Sequence, residues 1–315
     1  MGSTQAAAVL RTGRPDGTEV GWAAAAHLRV QPPLTPELPC RHQAAAQAPL
    51  KWLRSYADTD GRLQVPLLHT AGGLVGGDQL NVSLELEAGS SALLTSVAAQ
   101  KVYGTVGRSR RAPAGSWAVQ ELTVRVAEGA DLEWLPQELV LYADGLFEQR
   151  TRVELAPGAS YLGAEVVRLG RSAAGETLQA GRWRSQLEIR RQGAEGPRWE
   201  LVDRLELGGA ALEDDHGMAG EPVFGSLVWA APEPLAGERI GALLAACREA
   251  RQELDGAMAC GALEQGLVAR YRGPSSQAAR YWFTRIWALI RQERGLPPPE
   301  LPRVWPFQEQ PITAG

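Results

Sequence analysis

Two groups of residues in this chain have types and spacing that could do chemistry. Glu138 and Asp144 flank a predicted strand in the segment WLPQELVLYADG, and paired carboxylates of this kind can serve glycoside hydrolysis. Residues 213–216 place three acids beside a histidine, and carboxylate oxygens are ligands for hard metal ions. Acidic residues near turns are more often solvated, which is the favoured interpretation of Glu138 and Asp144. For residues 213–216 the favoured interpretation is an exposed acidic loop.

The sequence lacks the motifs of common enzyme classes. Its four histidines are scattered and its three cysteines show no metal-like spacing, which argues against a zinc enzyme and suits a reducing, cytoplasmic compartment. Lys101 and Tyr103 have the types of a dehydrogenase pair, but no cofactor loop accompanies them. With no convincing nucleophile, base or cofactor cradle, the residues favour an interaction protein over an enzyme, and we expect no tightly bound cofactor.

A glycine-dense turn, HTAGGLVGGD at residues 69–78, carries the strongest local signal. Four glycines in six positions indicate backbone conformations that side chains forbid, or very close approach by another backbone. The turn is not a phosphate-binding loop, because no Gly-Lys-Ser/Thr ends it and an alternating strand follows at once. Its composition favours a tight loop between strands, with Asp78 capping the amides of the loop.

The composition is that of an ordinary globular protein. The chain has 315 residues, of which 44% are hydrophobic and 22% charged, and its 32 basic and 36 acidic residues give a net charge of −4. That balance argues against a nucleic-acid partner, which requires a basic stripe. The apolar runs are interrupted every few residues, so we expect no membrane-spanning helix, which needs about 20 apolar residues.

From residue 21 to residue 235 the dominant period is two, which predicts a β-rich scaffold domain. Three times an amphipathic strand meets a glycine turn and returns as a more buried strand, at residues 80–97, 122–134 and 153–161. We interpret these, with a fourth pair around residues 193–196, as hairpins and, because their spacing is irregular, not as a solenoid repeat. The sequence therefore predicts a mostly β, layered, sandwich-like assembly.

Residues 236–305 predict a small helical C-terminal part that packs on the same unit. Residues 237–254 and 275–294 have apolar side chains at helical spacing, and a short β-like stretch at residues 261–272 lies between them. The two predicted flexible ends of the chain are residues 1–20 and 306–315.

Several segments, in order, resemble the family of the urease accessory protein UreD, called UreH in some systems. These segments lie within about residues 21–305. Each segment alone is weak evidence for the family, but their shared order across this span is specific to it. The segments are GGLVGGD, TSVAAQKVY, WLPQELVLYADG, GRSAAGE, VDRLEL, GLVARYRG, FTRIWALIR and LPRVW.

The resemblance implies a mostly β fold and a role in maturing urease, an enzyme with a dinuclear nickel site, without catalysis by the chain itself. Proteins of this family bind the urease apoprotein and a helical partner, UreF, which engages the GTPase UreG. Nickel from UreG is expected to pass through a tunnel in the UreD-like subunit. By position in the matching segments, the resemblance implies a transient nickel path at Asp78, Gln100, Asp144 and Glu176.

Two alternatives stay open at this point. Trp282, Ile286 and Trp287 form one apolar strip of the last predicted helix, which suits either packing on the sheet or docking of UreF. The alternative function is a β-sandwich, carbohydrate-active hydrolase that uses Glu138 and Asp144 as its paired carboxylates.

Overall fold

The computed structural model describes residues 21–110 and 112–305, so the predictions for residues 1–20 and 306–315 lie outside the described residues. The described part is mostly β with two α-helices, as predicted. Its strands are β1 (Ala23–Gln31), β2 (Arg41–Ala46), β3 (Leu50–Trp52), β4 (Tyr56–Ala57), β5 (Leu63–His69), β6 (Gln79–Leu86), β7 (Ser91–Ser96), β8 (Gln100–Val102), β9 (Ala118–Val126), β10 (Asp131–Trp134), β11 (Leu139–Leu141), β12 (Leu146–Leu155), β13 (Ser160–Leu169), β14 (Arg182–Gly193), β15 (Gly196–Leu207), β16 (Val223–Ala230), β17 (Ala257–Leu263) and β18 (Gly266–Gly273). Its helices are α1 (Gly237–Glu249) and α2 (Ser276–Glu293).

The described strands form two sheets that pack face to face. The seven-stranded sheet has the order β15-β14-β12-β9-β6-β1-β2. The eleven-stranded sheet has the main order β17-β18-β16-β13-β10-β7-β5-β3, with β4, β8 and β11 paired beside it. Side chains from both sheets meet in one large apolar core. The prediction of a layered β assembly is confirmed.

The three predicted hairpins are wrong, because each glycine turn carries the chain from one sheet to the other. Gly89, Gly129 and Gly158 occupy equivalent turns with φ of 69°, 64° and 69°. The amphipathic strands β6, β9 and β12 then pair in parallel in one sheet, and β7, β10 and β13 pair in parallel in the other. The chain therefore makes solenoid-like coils over this stretch. The fourth pair, β14 and β15, is an antiparallel hairpin as predicted.

The two strands of each coil differ in their apolar pattern because one has a single buried face and the other has two. Strands β6, β9 and β12 bury alternate side chains against the other sheet. Strands β7, β10 and β13 have the opposite sheet on one side, and on the other a second apolar core contains α1 and α2. Burial on both faces explains the near-continuous apolar runs.

The C-terminal residues continue the same architecture. The predicted short β stretch is the hairpin of β17 and β18, which extends the eleven-stranded sheet beyond β16. Helix α2 lies close to its predicted range, and the Ser275 side chain caps it by accepting a hydrogen bond from the Ala278 backbone N–H. Helix α1 ends at Glu249, earlier than predicted.

Buried ion pairs fix α2 on the eleven-stranded sheet. The Arg291 guanidinium donates two hydrogen bonds of 2.9 Å to the carboxylate of Glu133 on β10. Asp131, also on β10, accepts from Arg62 at 2.6 Å and from Arg294 at 2.7 Å. Paired geometry of this kind compensates the cost of burying charge. The position of α2 is therefore set by charge as well as by apolar packing.

Candidate functional site

A row of polar side chains crosses the otherwise apolar interior between the two sheets. In each sheet, the cross-strand register places the side chains of this row next to one another on neighbouring strands. We call this row the polar belt; it comprises Gln120, Gln149 and Ser185 of the seven-stranded sheet and Glu165, Ser226 and Arg270 of the eleven-stranded sheet. A polar layer inside a sandwich costs stability unless its members are paired, so its presence calls for an explanation.

Two adjoining cavities follow the polar belt. The first, of about 80 Å³, lies between the sheets and is lined by Gln120, Gln149 and Glu165 together with apolar side chains. The second, of about 40 Å³, shares Gln149 and Glu165 with the first and continues to Ser185 and Ser226. Each cavity has room for a few water molecules or a small ion. The interior therefore contains a narrow, polar-lined space.

Glu165 lies where the two cavities meet. The Gln149 side-chain amide donates to its carboxylate at 3.0 Å. Burial raises the pKa of Glu165 to about 7, which the nearby Arg270 guanidinium opposes. Arg270 also hydrogen-bonds to Ser226 and to Asp203 on β15. Burial therefore favours the protonated form of Glu165, whereas Arg270 favours its carboxylate.

His69 ends β5 and lines the first cavity beside Gln100 and Gln137. Both of its ring nitrogens are buried, and neither has a hydrogen-bond partner among the described residues. Burial lowers the pKa of His69, and the negative charge of Asp78 partly offsets this. Burial therefore favours the neutral form of the ring, in which one nitrogen carries a free lone pair.

Asp78 lies near His69, and its carboxylate accepts hydrogen bonds from backbone N–H groups. Its two carboxylate oxygens each accept a hydrogen bond of 2.8 Å, one from the Trp22 N–H and one from the Val75 N–H. The residue is 4% exposed. The carboxylate thus caps the glycine-dense loop, which is the interpretation that the composition favoured.

The glycine-dense loop is closely packed against other backbone, as predicted. A Cβ on Gly73 would lie 2.9 Å from the Lys101 carbonyl oxygen, and one on Gly76 would lie 2.5 Å from that of Ser116. Leu74 also pairs with β8 through a backbone hydrogen bond of 2.8 Å to the Lys101 carbonyl. The loop is therefore held closely against the backbone of β8 and of Ser116.

The other three predicted path residues occupy two places. Gln100 lines the first cavity. Asp144 and Glu176 are near each other, since the charge of Asp144 opposes the lowering of the Glu176 pKa that the Arg171 hydrogen bond causes. Asp144 accepts from Arg108 at 2.7 Å, and Glu176 accepts from Arg171 at 2.7 Å, so each carboxylate has its own arginine.

The carboxylates of the hydrolase alternative face different partners. Glu138 precedes β11 and pairs with Arg280 of α2 at 2.7 Å. Asp144 follows β11 and pairs with Arg108, and both carboxylates are thus neutralised by different arginines at opposite ends of the strand. This arrangement removes the basis of the paired-carboxylate hydrolase.

The acidic cluster at residues 213–216 is a surface turn. Its acids and His216 are largely exposed, and Asp214 accepts the backbone N–H of His216 at 2.7 Å. Within residues 21–110 and 112–305, no group of three or more His, Cys, Asp or Glu side chains is placed to hold a metal ion. The exposed-loop interpretation therefore describes this cluster.

Trp282, Ile286 and Trp287 are fully buried in the second core, each at 0% exposure. The Trp282 indole donates to the Cys247 carbonyl oxygen at 2.9 Å, and the Trp287 ring lies 6.0 Å from that of Trp305. Packing on the sheet, the first alternative for this strip, accounts for these contacts. With α2 in this position, the three side chains present no surface to a partner.

Motifs and spacing alone did not single out Gln149, Glu165 or His69 as candidate site residues. A signal was present, because each interrupts the apolar side of a strand: Glu165 stands inside SYLGAEVVRL and Gln149 inside LFEQRTRVEL. Such interruptions become meaningful only when parallel pairing places them in one row. The hairpin interpretation concealed that row.

The fold and site together define a β-rich scaffold with two small, partly polar cavities between its sheets and with carboxylates that are paired separately. In the described residues, no helix is long and apolar enough to cross a membrane. A family model described as "UreD urease accessory protein" matches residues 24–306. The chain therefore belongs to the UreD family of urease accessory proteins, and this family is not one of catalytic enzymes.

Individual relatives agree with this assignment. A urease accessory protein UreD from Parasynechococcus marenigrum (strain WH8102) is 62% identical over 273 residues, which cover 87% of this chain and 88% of the relative. A UreD of Prochlorococcus marinus (strain MIT 9303) is 62% identical over 269 residues, covering 85% and 90%. One from Synechococcus sp. (strain WH7805) is 60% identical over 274 residues, covering 86% of each.

Proposed function

We propose that this chain is a urease maturation factor that binds the urease apoprotein and, with UreF and the GTPase UreG, delivers nickel to the urease active site. The observation that carries the proposal is the polar belt with its two adjoining cavities, in the interior of a chain of this family. A scaffold that only held two partners together would gain nothing from a polar interior, which weakens packing.

The donor set of the interior suits brief contact with nickel. Nickel is a borderline cation that accepts both oxygen and imidazole ligands. The first cavity offers amide groups of Gln100 and Gln149, the carboxylate of Glu165 and the imidazole of His69. These groups stand on different rigid strands and do not close into one tight site, so an ion would be bound weakly and released.

The predicted path residues take different roles in this proposal. Gln100 contacts the ion in the first cavity. Asp144 and Glu176 form a hand-over point outside it, where an ion would have to displace Arg108 and Arg171 from the two carboxylates. Asp78 acts through its neighbours, since it holds the loop that supports the cavity and places a negative charge near His69.

Contact with UreF would involve α2 indirectly. Trp282, Ile286 and Trp287 hold the helix against the sheet. From this helix Arg280 pairs with Glu138 and hydrogen-bonds to Gln137, which lines the first cavity. A partner that shifted α2 would therefore act directly on the cavity wall.

The proposal is tested by urease activity from a recombinant operon grown with nickel, with and without this gene. We expect urease subunits to assemble in both cases but activity to vanish without the gene. Unchanged activity would overturn the proposal. Added nickel in excess serves as a control, because it bypasses a delivery step but does not repair misassembled subunits.

A further inference from the structure

We propose that the imidazole of His69 is a direct nitrogen ligand for nickel inside the first cavity. The inference rests on the proposed function and deepens it by naming a residue outside the four predicted path positions. It follows from the contacts, position and charge environment of this side chain.

Buried histidines are normally hydrogen-bonded, and His69 is an exception within the described residues. Among the described residues, neither nitrogen of His69 is hydrogen-bonded, although both are buried. An unsatisfied buried polar group costs about 1–3 kcal/mol, so core histidines are normally paired. His27 of the same chain is paired in this way, with its Nδ1 at 2.7 Å from the Ser83 hydroxyl oxygen.

The place of His69 in the fold also suits a ligand for an ion in the cavity. His69 is the last residue of β5, and the glycine-dense loop that follows it is exposed at residues 70–72. Its ring lines the cavity that also contains Glu165 of the polar belt. The imidazole therefore lies between the protein surface and the polar belt, where an ion that enters or leaves would meet it.

The groups around the His69 ring are neutral amides in the cavity and the nearby carboxylate of Asp78. Gln100 and Gln137 carry neutral side-chain amides, which bind a cation through the oxygen and not through the NH2 group. The Gln137 oxygen accepts a hydrogen bond from Arg280, so Gln100 is the better candidate of the two. Both line the same cavity as His69. The buried charge of Asp78 is close enough to act on the ring and would attract a cation to it. One imidazole with neutral amides gives the weak binding that transfer requires.

Histidine-selective NMR of the full chain tests the ligand role directly. The chain has four histidines, so the ring signals of a histidine-labelled sample can be resolved and assigned by single substitutions. We expect substoichiometric Ni²⁺ to broaden the His69 signals before those of His27, His42 and His216. Broadening only of the other histidines, or of none, would overturn the inference.

Matched substitutions separate a ligand from a structural histidine. We expect His69→Leu to keep or raise the melting temperature, because it removes an unsatisfied polar group, and to lower urease activation about tenfold at limiting nickel. His27→Leu should instead lower the melting temperature, because it breaks a hydrogen bond, and leave nickel broadening and activation unchanged. A His69→Leu protein that activates urease like the wild type would contradict the inference.

Failure of this inference differs from failure of the proposed function. If deletion of the gene leaves urease activity unchanged, the maturation role is wrong. If the gene is required but the His69 signals stay sharp with Ni²⁺ and His69→Leu activates normally, the role stands and only the ligand assignment is wrong.

Discussion

At the scale of single residues, this chain keeps polar groups where packing alone would favour apolar ones. Glu165 lies between the sheets with a raised pKa, and His69 has no protein partner among the described residues. Asp78, in contrast, has both oxygens satisfied by backbone amides. Glu165 and His69, whose burial costs stability, line the first cavity, whereas the fully hydrogen-bonded Asp78 holds the neighbouring loop.

Substitution of Glu165 should change the pH dependence of stability. Its folded pKa of about 7 is raised above that of an unfolded glutamate, so the native state binds more protons between the two values. The contribution of Glu165 to stability is therefore fully present at acidic pH and is lost as the pH rises through about 7. We expect Glu165→Gln to be more stable than the wild type at pH 8, by about 1–3 kcal/mol.

Urea unfolding of both proteins at several pH values measures this effect. The difference in free energy of unfolding should grow from acidic pH to pH 8 and then level off. Equal pH profiles for the two proteins would show that Glu165 is not the titrating group. Glu128→Gln, at an exposed turn, provides a control that should leave the profile unchanged.

Removal of the Asp78 carboxylate should affect both stability and activation. Asp78→Ala leaves the amides of Trp22 and Val75 unpaired, which costs about 1–3 kcal/mol for each amide that water cannot reach. We expect a lower melting temperature and reduced urease activation at limiting nickel. Normal activation by this variant at limiting nickel would remove Asp78 from the nickel path in either role.

At the scale of elements, the sequence predicts strand positions and the two helices better than it predicts how strands pair. The period of two in β6 and β9 is visible without the structure, as is the apolar strip of α2. A glycine turn between an amphipathic and an apolar strand, however, is compatible with a hairpin and with a crossing between sheets. The choice between the two depends on parallel partners 29 to 40 residues away, such as Gln120 with Gln149 and Leu80 with Gln120, and local periodicity carries no information about them.

The buried strip of α2 is expected to act through stability. Trp287→Ala should lower the free energy of unfolding by about 3–5 kcal/mol, because it opens a large cavity in the second core. Denaturant unfolding measures the loss, and Trp199→Ala, at a tryptophan that is 56% exposed, is the matched control with little expected change. A stable Trp287→Ala protein that fails to capture UreF would instead support direct docking through this strip.

At the scale of the whole molecule, the two sheets form a rigid sandwich whose interior is apolar at one level and polar at another. The layered β architecture follows from the sequence, because amphipathic strands must cover one another. The polar belt does not, because its members come from β9, β12, β13, β14, β16 and β18 and meet only after both sheets have formed. Membership of the UreD family connects the chain as a whole to urease maturation.

The central claim is that the polar interior carries nickel, and Gln149→Leu tests it most directly. This substitution keeps the side-chain volume nearly constant but makes the junction of the two cavities more apolar. The measurement is urease activation at limiting nickel, with Gln43→Leu on the exposed edge strand β2 as control and with folding checked for both variants. We predict a folded Gln149→Leu protein with strongly reduced activation and a Gln43→Leu protein with normal activation; full activation by folded Gln149→Leu would contradict the account.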